Sequence, residues 1–168
     1  AERKSGLLPP VLGLDNLSGV EYSQPYYWNI APNRDATFQT TLWSKRGLNL
    51  GGEFRYLDPK WRGEARAEIL ANDQQIGTDR WGLFTKHQQR IGDVWNTSLN
   101  INRVSDDKYF TDLSTVLAAT SQVQLSNDAT VARGGTWGNG GTYSFSAFAQ
   151  RFQTLQSDPL APLTPPYN

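Results

Sequence analysis

Cysteine is absent from this chain of 168 residues, and histidine occurs once, at His87. Without cysteine, the chain can form neither a disulfide framework nor a thiolate metal site. Lysine and arginine together number 16, as do aspartate and glutamate, so the formal net charge is zero. Proteins that bind nucleic acids usually carry a basic excess, because cationic side chains supply most of the affinity for phosphates. The composition therefore argues against a nucleic-acid partner.

Long hydrophobic runs are also missing. No stretch approaches the roughly 18 apolar residues of a transmembrane helix. The first residues, AERKSG, lack the apolar core of a signal peptide, so we expect a mature or internal segment if the protein is exported. Strands can still cross a membrane, because each gives a much weaker hydropathy signal than a helix.

Aromatic residues are plentiful, with 6 Trp, 7 Tyr and 7 Phe, although apolar residues make up only 38% of the chain. This combination suits a β protein with one apolar face. It does not suit a helical bundle, which needs a sustained period of 3.6 residues.

Apolar and polar residues alternate from about residue 19 to about residue 152, most clearly in residues 48–56 and 62–69. A period of two places each set on one side of a sheet. We count about ten strand candidates of roughly 9–12 residues, which is long enough to span a bilayer when tilted. The apolar positions of the two clearest segments are Leu48, Leu50, Gly52, Phe54, Tyr56, Gly63, Ala65, Ala67 and Ile69.

Turn-forming residues separate these segments, and short hairpins alternate with longer loops. The glycine-rich stretch 134–141 lacks the lysine of a phosphate-binding loop and is predicted to be a flexible hairpin tip. The sequence thus predicts an all-β fold of antiparallel up-and-down strands. The proline-rich segment 158–168 is expected to be a tail or loop.

The apolar side of such a sheet needs a partner, and two alternatives stay open. A second sheet would make a soluble β-sandwich that binds carbohydrate or peptide, whereas lipid would make part of a transmembrane β-barrel wall. Small apolar residues such as Ala65 and Ala147 would make a thin sandwich core, and aromatic residues near strand ends suit membrane interfaces. These traits favour the barrel wall.

Catalytic and metal-binding motifs are weak. Asp106, Asp107 and Asp112 could supply oxygen ligands to a divalent cation, but their spacing fits no EF-hand, and aspartate commonly caps turns. His87 could belong to a Ser-His-Asp triad only beside a nucleophile, and the sequence contains no G-x-S-x-G nucleophile elbow. We predict no enzymatic activity, no cofactor and no metal site.

Four stretches resemble one known family in order and spacing, the LptD family of lipopolysaccharide-assembly proteins in the Gram-negative outer membrane, also called organic solvent tolerance proteins. The stretches are PYYWNIAPNRDAT (25–37), SKRGLNLGGEFRYL (44–57), NDQQIGTDRWGLF (72–84) and RVSDDKYFTDL (103–113).

The resemblance implies that residues 1–168 are the first strands of a larger barrel in the cell outer membrane. It implies translocation and insertion of lipopolysaccharide through a barrel lumen and a lateral strand seam, without bond chemistry. The implied partners are lipopolysaccharide, a lipoprotein plug of the LptE type, and periplasmic Lpt bridge components that act through an N-terminal domain. A passive outer-membrane barrel, such as a porin or adhesin, is the remaining alternative.

The resemblance also implies roles for particular residues. Pro10 and Pro25 would weaken the seam between the first and last strands, because proline removes a ladder hydrogen bond. Edge prolines without any such role are an equally simple interpretation. Six residues would face the lumen, where they could guide an anionic glycolipid, contact a plug or simply neutralise one another. They are Glu53, Arg55, Arg62, Glu64, Arg66 and Glu68.

Overall fold

The computed structural model describes residues 2–113 and 124–155. Almost all of these residues lie in strands or in the turns between them. The elements are β1 (Gly6–Leu7), β2 (Val11–Asp15), β3 (Gly19–Ala31), β4 (Arg34–Trp43), β5 (Gly47–Leu57), β6 (Trp61–Leu70), β7 (Arg80–Ile91), β8 (Trp95–Val104), α1 (Tyr109–Asp112), β9 (Gln124–Trp137) and β10 (Gly141–Thr154).

The ten strands form one antiparallel sheet in which each strand from β3 to β10 pairs with the next along the chain. Strands β1 and β2 both pair with the outer edge of β3, one after the other. The expectation of an all-β fold with antiparallel up-and-down strands is therefore confirmed. No helix within the described residues has the length and apolar character needed to cross a membrane.

The connections differ between the two ends of the sheet. At the short-turn end, β3–β4, β5–β6, β7–β8 and β9–β10 are joined by two or three residues each. At the opposite end, the long-loop end, the β4–β5 connection has three residues (44–46), the β6–β7 connection covers residues 71–79, and the described part of the β8–β9 connection covers residues 105–113. The proline-rich segment 158–168, predicted to be a tail or loop, lies outside the described residues.

The glycine-rich stretch 134–141 contains the tip of the β9–β10 hairpin, as predicted, but the turn takes up only part of it. Strand β9 runs through Gly134 and Gly135 to Trp137, which leaves only residues 138–140 for the turn. The ring of Tyr143 on β10 occupies the space where a Cβ of Gly135 would lie. Glycine is thus used here to admit an aromatic ring across the ladder, which a composition-based interpretation cannot detect.

The two faces of the sheet differ as the alternation predicts. Leu48, Leu50, Phe54 and Ile69 share one face and retain 46%, 48%, 38% and 45% exposure. In the described part of the chain no second layer covers this apolar face, because all strands belong to one sheet. A sandwich would have buried these side chains, so the structure favours the barrel-wall alternative.

The opposite face is polar and more buried. Ser23, Thr41 and Asn49 are almost inaccessible there, and the Ser23 and Thr41 hydroxyls are 2.9 Å apart. The apolar core is small and sits at the long-loop end, around the helix α1. Its buried members are Trp43, Leu70, Val104, Tyr109, Leu113, Leu125 and Leu155.

Candidate seam and polar face

Pro25 interrupts the hydrogen bonds on the outer edge of β3. The Leu8 N–H donates to the Pro25 carbonyl at 3.0 Å, but proline has no N–H to donate back to Leu8. In an antiparallel ladder such a pair normally exchanges two hydrogen bonds. The pairing of Pro25 with Gln39 of β4 continues in register, so only the β1–β2 side loses a bond.

Pro10 lies directly beside this interruption. Leu7 is opposite Tyr26 and Val11 is opposite Ser23, so the edge carries one more residue than β3 does over this interval. The extra length separates β1 from β2, and Pro9 and Pro10 lie within it. Both predicted seam residues, Pro10 and Pro25, therefore lie along the same edge of the sheet. That this edge opens remains a prediction.

The six predicted lumen residues all lie on the polar face, on β5 and β6. Most are held by opposite charges or hydrogen bonds. Arg55 forms two hydrogen bonds of 2.8 Å to the Asp35 carboxylate, and Arg66 donates to Glu53 at 2.5 Å. The Tyr109 hydroxyl donates to Glu68. Around β5 and β6, then, the polar face is largely neutralised by its own pairs.

Of the six, Arg62 and Glu64 have no ion-pair partner within the described residues. The Arg62 Nε donates to the Gln88 side chain at 2.7 Å, and no carboxylate of the described chain pairs with its terminal nitrogens. Arg90 and Lys60 lie alongside, since the Arg90 N–H donates to the Lys60 carbonyl. We call Lys60, Arg62 and Arg90 the basic end.

A cavity of about 770 Å³ opens at the short-turn end and is lined by all three cations. Three carboxylates lie nearby, of which Glu64 shares the polar face with Arg62. Asp58 is engaged by Arg34 at 3.5 Å and by Asn33 at 2.7 Å, and Asp93 lies 3.8 Å from Lys60 in a largely exposed pair. Exposed pairs of this kind contribute little binding energy. The basic end therefore retains a cationic excess and free guanidinium N–H groups.

A buried ion network closes the long-loop end. The Arg80 and Asp73 side chains are both 0% exposed, and Arg80 Nη1 lies 3.2 Å from the Asp73 carboxylate. Arg80 also binds Asp106 at 2.7 Å and Asp112 at 3.2 Å, while Arg46 binds Asp73 at 2.7 Å. These side chains come from three separate connections of the sheet, so the network ties the loops to one another.

The network also explains why Asp106 and Asp112, two of the three aspartates considered as ligands of a divalent cation, lie close together. Asp106 and Asp112 direct their oxygens at the Arg80 guanidinium, which occupies the place a metal ion would need. The third residue, Asp107, is exposed. Within the described residues, no cluster of histidine and acidic side chains is arranged to hold a metal ion.

Hydrogen bonds and burial shift the pKa values of the ionisable groups in the network. Burial alone would raise the pKa of Asp73, but the Gln75 N–H and the guanidinium groups of Arg46 and Arg80 hold it below its ordinary value of 3.8. Burial likewise acts on Asp106, and hydrogen bonds from Arg80 hold its pKa below the ordinary value. For Tyr109, burial and the nearby Glu68 carboxylate raise the pKa, so its hydroxyl stays a donor.

These shifts predict how the long-loop end responds to acid. Carboxyl groups with a lowered folded pKa stabilise the fold above their unfolded pKa, and the stabilisation is lost as pH falls through the folded pKa. We expect the Gln75 amide, which donates to Asp73 at 3.0 Å, to stay protected from hydrogen exchange above pH 3.8 and to lose protection as the pH falls from 3.8 through the lowered folded pKa of Asp73. Exchange corrected for intrinsic rates measures this. Protection that does not change along an acid titration to complete protonation of Asp73 would contradict it.

The sequence predicted only part of this site. Arg46, Asp73 and Arg80 were not singled out, because each is an ordinary polar residue next to a turn. A weak signal was available: the motif 72–84 begins in a turn and places Arg80 at the start of a strand, on the side that alternation assigns to the buried polar face.

The fold and the two faces define a class. A single antiparallel sheet with an exposed apolar face, a polar opposite face, short turns at one end and longer loops at the other is typical of outer-membrane β-barrel walls.

Comparison with known proteins gives the family. The family model described as LPS transport system D matches residues 78–168. The LPS-assembly protein LptD of Albidiferax ferrireducens is 45% identical over 99% of this chain. The proteins of the same name from Nitrosomonas eutropha and an Azoarcus species are each 46% identical over 99% of it. The chain belongs to the LptD family, as the four motifs indicated.

The chain covers 21%, 23% and 20% of those three relatives, so it spans about a fifth of their length.

Proposed function

We propose that this chain forms part of the wall of an outer-membrane β-barrel that transports and assembles lipopolysaccharide. The sugar part of the lipid would pass along the polar face, and its acyl chains would leave through the weakened edge at Pro10 and Pro25. No bond is made or broken in this process. The single observation that carries the proposal is the sidedness of the sheet, together with its membership of the LptD family.

The apolar face supports contact with lipid. Its large side chains are exposed along eight successive strands, which would be unfavourable in water over so large an area. The connections suggest an orientation, since outer-membrane barrels have short periplasmic turns and longer extracellular loops. On this basis the short-turn end faces the periplasm and the long-loop end faces outward.

The polar face supports passage of an anionic glycolipid. Its paired central charges offer a wet and nearly neutral surface, whereas the basic end offers an excess of cations, of which only Lys60 has an exposed ion pair, at the proposed periplasmic entrance. Guanidinium groups bind phosphate and carboxylate groups well, because their N–H donors match the geometry of these anions. A passive pore would share the sidedness but would not require such a site.

The edge at Pro10 and Pro25 supports a lateral exit. Backbone groups in hydrocarbon must be paired, so a barrel can open sideways only where pairing is already poor. A lipoprotein plug of the LptE type and the periplasmic bridge components remain predictions drawn from the family.

A crosslinking experiment tests the proposal. A photoreactive residue at Gln88, next to Arg62, is introduced into a full-length family protein that carries this segment. We expect light-dependent adducts with lipopolysaccharide, reduced about tenfold in the R62Q/R90Q variant, which corresponds to roughly 1.4 kcal/mol. The matched control is K108Q, which removes one exposed cation at the opposite end of the sheet.

Three outcomes would contradict the proposal. Absence of any lipid adduct at Gln88 would place the lipid elsewhere, and adducts with an acidic protein would assign the basic end to a protein partner. Equal adduct yields in R62Q/R90Q and K108Q would show that the basic end does not bind the lipid.

A further inference from the structure

The interrupted ladder at Pro25 contains a substitute donor. The side-chain amide of Gln24 donates from Nε2 to the Leu8 carbonyl at 2.8 Å, the acceptor that a backbone N–H at position 25 would serve. The same nitrogen lies 3.2 Å from the Pro25 carbonyl. A side chain thus makes the hydrogen bond that proline removes from the backbone.

A second residue orients this amide. The Tyr22 hydroxyl donates to Gln24 Oε1 at 3.2 Å, which directs the Nε2 donor group toward Leu8. Tyr22 lies two residues before Gln24 on β3, so both project from the same face of the sheet, the apolar one. On a face that is proposed to contact lipid, a polar amide needs hydrogen-bond partners, and Gln24 finds them on the neighbouring first strand and on Tyr22.

Physical reasoning explains why an amide belongs there. An unpaired carbonyl in hydrocarbon is costly, so the Leu8 oxygen needs a donor even where the backbone supplies none. A side-chain donor differs from a backbone donor in one respect. It can rotate away without moving its strand, whereas a backbone N–H leaves its acceptor only when the strand itself moves.

We propose that Gln24 is a releasable clasp of the seam: it pairs with the Leu8 carbonyl while the edge is closed and frees that carbonyl when the edge opens. Gln24 is a positioning residue, since it acts through the pairing of the first strand. The inference rests on the proposed function, in which the edge at Pro10 and Pro25 opens to release acyl chains.

A double-mutant cycle tests the clasp in a full-length family protein carrying this segment. The four backgrounds are the unchanged protein, Q24A, P25A and Q24A/P25A. Each also carries Leu7→Cys and Tyr26→Cys, which are directly opposite each other and form a disulfide only when the edge is paired. The rate of disulfide formation, measured in folded protein, reports closure of the edge.

The clasp predicts strong non-additivity. In the presence of Pro25, Q24A should slow disulfide formation about fivefold and increase entry of a bulky antibiotic. In the P25A background, the new backbone N–H bonds Leu8 directly, so Q24A should change the rate by less than about twofold. The control is Q89A, which removes an amide from the same face of β7 and should leave closure unchanged in both backgrounds.

The other possible results of the cycle distinguish between the clasp and the proposed exit route. Equal effects of Q24A in both backgrounds, or no effect beside Pro25, would overturn the clasp, since a purely structural glutamine would act regardless of Pro25. If the cycle behaves as expected but lipopolysaccharide export ignores every variant, Gln24 pairs the edge as inferred and the exit route in the proposed function is wrong. The experiment can therefore contradict the clasp and the proposed exit route independently of each other.

Discussion

Replacing Arg80 with methionine is expected to lower the free energy of unfolding by about 3–5 kcal/mol, the usual cost of breaking a buried ion pair on one side. The substitution leaves Asp73 fully buried with Arg46 as its remaining cation, and it removes the guanidinium that pairs with Asp106 and Asp112. Methionine is of comparable length, so lost packing contributes little. Urea unfolding in detergent micelles, with a full-length family protein, measures the change.

The matched control is Arg34→Met, at the short-turn end. Arg34 pairs with Asp58 at 3.5 Å and its side chain is half-exposed, so this change should cost no more than about 1 kcal/mol. Similar losses in the two variants would mean that the network at Arg80 is no stronger than a surface pair. Loops 71–79 and 105–113 should also become more sensitive to protease only in the Arg80 variant.

Replacing Pro25 with valine is expected to slow the appearance of lipopolysaccharide at the cell surface. Valine favours strands and restores a backbone N–H facing the Leu8 carbonyl, which makes the edge harder to open. The backbone N–H takes over from the releasable Gln24 donor, and because one net hydrogen bond is worth about 0.5–1.5 kcal/mol, export should become up to roughly tenfold slower. Pulse labelling of the lipid followed by surface detection provides the rate.

Pro59→Ala is the control for this change, because Pro59 lies in the β5–β6 turn, away from the edge. Export at the original rate in the Pro25 variant would count against a seam at this edge. A slowdown in both variants would point to a general folding defect instead.

The strands and their sidedness could be predicted from the sequence because they depend on local alternation. Leu48, Leu50, Phe54 and Ile69 fall on one face by their spacing alone, whatever their neighbours are. The order of the strands also follows, since short turns force adjacent antiparallel pairing. Pro25 could also be singled out from the sequence, because the missing N–H is a property of proline itself and does not depend on its neighbours.

Contacts between distant segments could not be predicted in this way. Arg80 and Asp106 are 26 positions apart, and only the pairing of β7 with β8 brings them together. The acidic motif around Asp106 therefore had two possible explanations until its cation was located. Gln24 escaped notice because its role depends on the break between β1 and β2, which sequence spacing does not reveal.

The free side of β10 has a consequence for biogenesis. In the described part of the chain, β10 pairs only with β9, so about half of its 14 residues direct unpaired peptide groups to its far side. Such an edge is a template for another extended segment, whether correct or foreign. In the proposed barrel this edge has to pair with a further strand before it enters hydrocarbon, because exposed backbone groups there are costly.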